Sequence, residues 1–474
     1  MMLPVHAVLP DLLAALRAGS AAVLVAPPGA GKTTAVAPAL FGEGWCDGEI
    51  LLLSPRRLAA RAAAERIAEL LGQAVGGVVG YRTRMDSKVS RATRLTVMTP
   101  GLFVNRIVAD PELQGVSAVL FDEVHERSLD GDFGLALAIE SARAFRPDLR
   151  LLPMSATIDG ARFADLLGGA PVIASEGRAH PLRLVHVGRS AAQRIEEAMA
   201  ATIRRALAGE SGDCLAFLPG VREIERTAEA LAGRLPEPVD IHLLHGSLDP
   251  GAQRAALRLA PPGRRKLILA TSIAETSLTI DGVRIVVDSG LARRPRFDRA
   301  AGIARLATER ASLASVTQRA GRAARQGPGV AYRLWEEAAE GGLLPFDPPE
   351  IMESDLAPLL LACARFGEGD PARLPWLDAP PAAGIAEARG RLAALGALDA
   401  GGRVTPLGEA IAALPLAPPL AAMLLRAAAA GDAERAAEAA VLIEERGLGG
   451  GEADLDARRT RWRAQGGGRA DAAR

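Results

Sequence analysis

Residues 22–34 read AVLVAPPGAGKTT. Residues 22–26 are a short apolar run, the pattern of a strand buried on both faces. Pro27, Pro28, Gly29 and Gly31 then form a turn, and GKTTAVAPAL opens a helix. A strand, a glycine-bearing turn and a helix together make a phosphate-binding loop. Successive N–H groups point inward, and the helix presents its positive end. Gly31 lets backbone approach a phosphate closely, Lys32 reaches the β- and γ-phosphates, and Thr33 offers its hydroxyl to Mg2+. Pro28, Gly29, Ala30 and Thr34 complete the nucleotide-binding set. The usual pattern has glycine where Ala26 stands. That residue serves the turn after the strand, and alanine suffices if φ stays negative. A glycine-rich turn before an ordinary helix is the competing interpretation, and a second site decides against it.

Bulk composition sets limits. Hydrophobic residues make up 49% and charged residues 24% of 474, which suits a globular chain of about three domains. Lys plus Arg and Asp plus Glu are each 56. Net charge therefore does not advertise nucleic acid, which would need a local basic groove. No apolar run approaches the roughly 18 residues of a membrane span. MMLPVHAVLPDLLAAL has no basic n-region, and Cys46, Cys214 and Cys363 have neither disulfide nor metal-ligand spacing. A cytoplasmic protein with no membrane partner is expected. Only three lysines occur, Lys32, Lys88 and Lys266, among cations that are otherwise arginine. Lysine at 32 is thus informative: a flexible ammonium fits a tight phosphate loop where a planar guanidinium does not.

Strand-like runs recur at EILLLS (49–54), LTVMT (95–99), SAVLFDE (117–123) and LRLLPMSAT (149–157), each ending in polar residues. Helical stretches lie between them, one from Leu58 to Leu71. This alternation predicts a parallel, doubly wound sheet with its ligand at the carboxyl ends of the strands. After about residue 175 the pattern restarts with DCLAFLPG, VDIHLLHG, RKLILATS and VRIVVDSG. A second sheet of the same architecture is expected, without a sequence repeat. Prolines in PFDPPEIMESDL (345–356) break the rhythm. Ala/Leu-rich helices follow, with an extended piece at 396–408. The end, GLGGGEADLDARRTRWRAQGGGRADAAR, is rich in glycine and poor in apolar residues. It reads as a disordered tail or a cut linker.

FDEVHERS (121–128) closes an apolar run ninety residues after Lys32. Asp122 at a strand end can hold Mg2+, and Glu123 beside the γ-phosphate can orient and deprotonate an attacking water. DEVH resembles the DEAH signature of the superfamily 2 helicases, with Val124 in place of alanine. Other stretches are similar to that family's motifs, in order. PRRLAA (55–60) resembles motif Ia, TPG (99–101) motif Ib, SAT (155–157) motif III and FLPG (217–220) motif IV, with LHGSL (244–248) after it. TSIAETSLTIDG (271–282) resembles motif V and QRAGRAAR (318–325) motif VI, with Ala324 where many members have glycine. The resemblance covers most of residues 20–335, and LLSPRRLAAR, APPGAGKT and FLPG are most similar to the HrpB-type bacterial members. It implies an α/β fold of two RecA-like doubly wound parallel-sheet domains in tandem, 1–172 and 173–340. A small winged-helix module (341–415) and a truncated helical, ratchet-like domain (416–474) follow.

The resemblance also assigns roles. ATP is the substrate and Mg2+ the metal, held by Thr33, Asp122 and Glu123. Glu123, Gln318, Arg322 and Arg325 are the catalytic set, the two arginines being fingers on the γ-phosphate. They lie in the second sheet, whereas Lys32 and Glu123 lie in the first, so hydrolysis requires the sheets to close over ATP. His125 bonds across the domain interface; it has no Cys or His partner at zinc spacing. Ser155 and Thr157 couple the sites. Nucleic-acid candidates are Arg56, Arg57, Arg66, Thr99, Gly101, Thr271, Ser272 and Thr276, whose phosphate and sugar contacts carry no sequence information. Arg66 would also face adenine opposite Leu257, where some relatives carry an aromatic. RRPRFDRAAGIARL (293–306) resembles a β-hairpin that the family lays against the strand; the alternative is a basic surface loop. The implied function is an ATP-dependent helicase, a monomer moving on single-stranded RNA rather than DNA. Two alternatives stay open: an ATP-gated RNA clamp without unwinding, and a DNA-directed motor.

Overall fold

The apolar runs become strands because they are covered on both faces. Val23, Leu24, Leu51, Leu52, Val119 and Leu120 are completely buried, and each such side chain contributes about 1.5–3 kcal/mol by leaving water. The computed structural model describes residues 3–465 apart from 85, 157, 158, 178, 179, 191, 236, 237, 249, 276–279, 299–302, 445 and 446. The chain forms two units, Met1–Ser354 with Pro375–Asp378, and Asp355–Leu374 with Ala379–Arg474.

The first unit holds the two expected sheets. Among the described residues the first sheet has eight strands. In spatial order they are Asp86–Lys88, Val79–Thr83, Leu95–Met98, Glu49–Leu53, Val116–Phe121, Arg150–Ser155, Val23–Val25 and Val172–Ala174. Only the Asp86–Lys88 strand is antiparallel to its neighbour. The second sheet, parallel throughout, has six: Val239–Leu244, Arg265–Ala270, Asp213–Phe217, Val283–Asp288, Gly329–Arg333 and Leu182–His186. The edge strand of the first sheet, Val172–Ala174, begins at residue 172 and runs across the expected division between 172 and 173.

Register aligns the carboxyl ends of the first sheet. Val25 pairs with Ser155, Phe121 with Pro153, and Leu53 with both Phe121 and Met98. The segments that follow these strands therefore share one rim. They are the loop at 26–31, Ser54–Arg57, Thr99, Asp122–Glu123 and Ser155–Ala156. Leu291–Asp298 and Ile303–Arg310 pair as antiparallel strands, so the described residues within 293–306 are extended strand.

The second unit is helical: Ala357–Phe366, Ala382–Leu395, Pro406–Ala413, Pro418–Ala429, Ala433–Glu444 and Leu455–Ala464. An antiparallel bridge, Leu398 to Val404, supplies the extended piece. The disordered-tail expectation is corrected here. Asp454 caps the last helix by accepting from the N–H groups of Asp456 and Ala457. Trp462 packs with Leu442 and Leu448 in a small core. One buried aromatic outweighs a polar average. Residues 466–474 lie outside the described residues. No single described helix is long and apolar enough to cross a membrane.

Candidate active site

The loop after Val23–Val25 runs over the end of the neighbouring strand, with the Ala26 N–H donating to the Ser155 carbonyl at 2.9 Å. Ala26 is fully buried and is not among the residues of positive φ. Gly29 and Gly31 have φ of 85° and 91°, a region that disfavours side chains. A Cβ at Gly31 would also lie 2.5 Å from Leu3 Cδ1. The helix Lys32–Ala39 starts directly after Gly31, so the Lys32 and Thr33 N–H groups at its start lack intrahelical partners. Thr34 bonds back to the Gly31 carbonyl at 3.4 Å.

Lys32 is buried and points at the second carboxylate motif. Its Nζ lies 3.1 Å from each carboxylate oxygen of Glu123. Thr33 Oγ1 donates to Asp122 Oδ2 at 2.6 Å, and the Glu123 N–H donates to Asp122 Oδ1 at 3.0 Å. Burial, and secondly the charge of Glu123, push the Asp122 carboxyl up to about 7. Burial also works to raise Glu123, but Lys32, then His125 and Arg325, outweigh it and hold its carboxyl below the usual range. Glu123 Oε2 is buried and accepts no well-aligned hydrogen bond, an acceptor suited to a water. Thr33 and Asp122 offer hard oxygen donors. Among the described residues no group of three His, Cys, Asp or Glu could cage an ion. This is the donor set for Mg2+, which typically takes one or two carboxylates and completes its shell with phosphate oxygens and water.

Because the folded Asp122 carboxyl titrates near 7 and an unfolded one near 3.9, the folded state retains a proton between those values. Stability therefore falls as pH rises through that window, by a few kcal/mol, and the loss is complete above 7. Asp122→Asn is expected to melt above the parent at pH 8 without nucleotide and to lose that advantage at pH 4. Equal differences at the two pH values, by thermal unfolding, would exclude this penalty.

The second sheet supplies the opposite wall. Gln318 Nε2 lies 2.8 Å from His125 Nε2, and His125 Nδ1 accepts from the Ala156 N–H at 3.2 Å. Burial lowers the His125 pKa, so the ring is neutral with its proton on Nε2. The Gln318 amide must then turn its oxygen to the ring, since amide nitrogen and oxygen are interchangeable by shape. Arg322 is buried and its Nε donates to the Glu275 carbonyl at 2.9 Å. Burial, then the charge of Arg325, lower its pKa, while Glu123 acts to raise it. Burial brings Arg325 down to about 10, again opposed by Glu123. Among the described residues Arg325 has no ion-pair or hydrogen-bond partner. Two cations, Arg322 buried and Arg325 half-buried, thus act on Glu123 across the cleft.

The structure brings Lys32, Thr33, Asp122, Glu123, His125, Gln318, Arg322 and Arg325 together. Ser155 sits on the same rim, fully buried; Thr157 and Thr276 lie outside the described residues. Arg56 Nη1 donates to the Ser272 carbonyl at 2.5 Å and pairs with Glu126 at 3.5 Å, so it joins the two lobes directly. Arg57 is exposed, and Thr99 and Thr271 are half-buried. Gly101 faces Asp130, whose Oδ2 a Cβ there would approach to 2.6 Å. Arg66 stands apart: it is nine residues along the helix Arg57–Leu70, about 13 Å at 1.5 Å per residue, and pairs with Glu69 at 2.7 Å. Leu257 packs on the core of the second lobe.

Sequence reasoning missed Glu275, Arg319 and Asp288. Arg319 is 1% exposed, and its guanidinium bonds Glu275 at 2.9 Å and Asp288 at 3.1 Å. Ser315 Oγ donates to the other Glu275 oxygen at 2.5 Å. The available signal was spacing: Ser315, Arg319 and Arg322 recur at helical intervals, which lets one residue hold all three, the Glu275 carboxylate taking Ser315 and Arg319 and its backbone carbonyl taking Arg322.

A profile of the DEAD/DEAH box helicase family matches residues 7–166, the helicase conserved C-terminal domain 196–327, and the winged-helix helicase-associated domain (HA2) 388–416. The chain is 46% identical over 443 residues to the ATP-dependent RNA helicase HrpB of Escherichia coli, covering 94% of this chain and 55% of the relative. It is 35% identical over 444 residues to the pre-mRNA-splicing factor ATP-dependent RNA helicase prp22 of Schizosaccharomyces pombe, with 91% and 38% covered. The crystal structure of Escherichia coli DEAH/RHA helicase HrpB superposes with a TM-score of 0.89 at 44% identity, over 98% of this chain and 61% of that one. The chain spans about half the length of the curated relatives it matches.

Proposed function

The chain belongs to the DEAD/DEAH-box helicase family, similar to its HrpB-type members, and from that premise we propose that it is an ATP-dependent RNA helicase. It hydrolyses ATP to ADP and phosphate and uses the resulting lobe motion to move along and unwind RNA. One observation carries the reading. Gln318 meets His125 at 2.8 Å between a Lys32–Glu123 pair on one lobe and Arg322 and Arg325 on the other.

The chemistry follows from these residues. Without ligand, Lys32 neutralises Glu123. Loop N–H groups and Lys32 take the β- and γ-phosphates, which draws the ammonium off Glu123 and makes that carboxylate a stronger base. Glu123 Oε2 then orients water against the γ-phosphorus and accepts its proton. Arg322 and Arg325 stabilise charge on the transferring group. Thr33 and Asp122 would hold Mg2+, with Glu123 beside it, and the ion would supply positive charge to the transferring phosphate. Phosphate release removes the charge between the lobes, and the His125–Gln318 contact, with Ser155 on the same rim, transmits the change, a coupling in which Thr157 is proposed to share.

Arg57, Thr99, Gly101, Thr271 and Thr276 are proposed to hold single-stranded nucleic acid, with Arg56 and Ser272 at the lobe junction. Relatives named as RNA helicases favour RNA over DNA. The divisions 1–172, 173–340, 341–415 and 416–474, a monomer and a cytoplasmic location are proposed with it, the last supported by three buried free cysteines.

ATP turnover measured with and without single-stranded RNA tests the reading. RNA is expected to raise turnover several-fold, with apparent RNA affinity falling as salt rises. Turnover that RNA leaves unchanged would remove RNA as the ligand. A tailed duplex separates the remaining possibilities: RNA-stimulated hydrolysis without strand displacement selects the clamp, and stimulation by DNA alone selects the DNA-directed motor.

A further inference from the structure

Among the described residues only three non-glycine residues have positive φ, and two of them are Glu123 (55°) and Arg127 (51°). They bracket the short turn Val124–Glu126. L-residues stay in this region only where their surroundings hold them. Lys32 and Asp122 hold Glu123. Arg127 is held by an acidic clasp. Its guanidinium forks onto Asp132 at 2.8–3.3 Å and pairs with Asp378 Oδ2 at 2.6 Å. Its carbonyl accepts from the Glu350 N–H at 3.0 Å, and the Glu350 carboxylate accepts from the Leu129 N–H at 2.7 Å. Asp378 is itself fixed by Arg162 at 3.0 Å, and Trp376 stacks on Phe133 with ring centres 5.8 Å apart.

A cavity of about 20 Å3 lies behind the turn, lined by Pro55, Pro100, Asp122, Glu123, Arg127 and Asp132 among others. It has room for about one water. Interiors are otherwise close-packed, so packing on that side does not by itself locate the turn.

We infer that Arg127 and Asp378 are positioning residues for Glu123. Asp378 anchors the outer end of Arg127, Arg127 holds its own αL backbone, and the turn passes that constraint to the carboxylate four residues earlier. The inference rests on Glu123 being the base for ATP hydrolysis. It predicts that loosening the clasp misplaces the base without disturbing the phosphate loop.

The test compares kcat, KM and the Kd of a non-hydrolysable ATP analogue in the full chain with those of Asp378→Asn, Arg127→Gln and Arg127→Lys, with thermal unfolding recorded for each. Asp378→Asn is expected to lower kcat about tenfold to a hundredfold while KM and analogue Kd stay within about twofold. Arg127→Gln should fall further. Arg127→Lys should recover only part, because an ammonium cannot fork. Parental kcat in Asp378→Asn overturns the inference. So does a fall in kcat matched by loss of analogue binding or by early unfolding, which would make the clasp structural only. A parent without ATP turnover would instead overturn the reading of Glu123 as a base.

Discussion

Glu123→Gln is expected to bind ATP as the parent does and to hydrolyse it on the order of 1000-fold more slowly. Glutamine has nearly the same volume and keeps Oε1 as an acceptor for Lys32, which lies 3.1 Å away in the parent. The loop and its helix are untouched, so phosphate binding persists. What disappears is the ionised carboxylate, the only group at this position able to take a proton from water. A second effect follows from charge. The negative charge of Glu123 helps to push Asp122 up to about 7. With glutamine beside it, Asp122 ionises more readily and becomes a better ligand for a divalent cation. The variant should therefore hold nucleotide with Mg2+ at least as tightly as the parent while failing to turn it over. Equilibrium binding of a fluorescent ATP analogue and multiple-turnover phosphate release separate the two quantities. Phosphate release within about tenfold of the parent would take Glu123 out of the chemistry.

The parts of the molecule legible in the sequence are those set by local pattern. The inner strands of both sheets are buried on two faces and so read as unbroken apolar runs. The edges were not legible. Asp86–Lys88 is exposed at all three residues, and Leu182–His186 is only partly covered, so neither shows the apolar run of a core strand. Lys32, Thr33, Asp122 and Glu123 were found because each lies within a recognisable stretch, the first two opening the helix after a strand and the last two directly after a strand end. Arg127 and Asp378 were not, since they lie 251 positions apart in the chain. Nor did anything in QRAGRAAR tell Arg319, which faces two buried carboxylates, from Arg322 and Arg325, which face the cleft. Composition misled at the C-terminus, where Trp462 is 2% exposed in a segment that is polar on average.

Arg322→Gln is expected to lower kcat by about 1000-fold or more, the range in which an arginine finger acts on phosphoryl transfer. Arg319 cannot substitute, because Glu275 and Asp288 hold both sides of its guanidinium. Glutamine at 322 still has an N–H for the Glu275 carbonyl, so the backbone turn that carries the finger keeps its donor. The charge and the planar fork of guanidinium donors are lost. Stability should move the other way. Burial, and then the neighbouring Arg325, hold the Arg322 pKa well below its ordinary value, so without nucleotide the cation opposes folding. Arg322→Gln should thus melt no lower than the parent when nucleotide is absent, although it is nearly inactive when ATP and RNA are present. Arg322→Lys restores positive charge but not the planar pair of donors, and is expected to remain close to Arg322→Gln in turnover. Phosphate release under saturating ATP and RNA, set beside thermal unfolding without either, gives both signs. An Arg322→Gln protein with turnover within about tenfold of the parent would show that the second lobe closes on ATP without using this side chain. One that is inactive only because it unfolds early would leave the lost turnover to folding rather than to charge at the γ-phosphate.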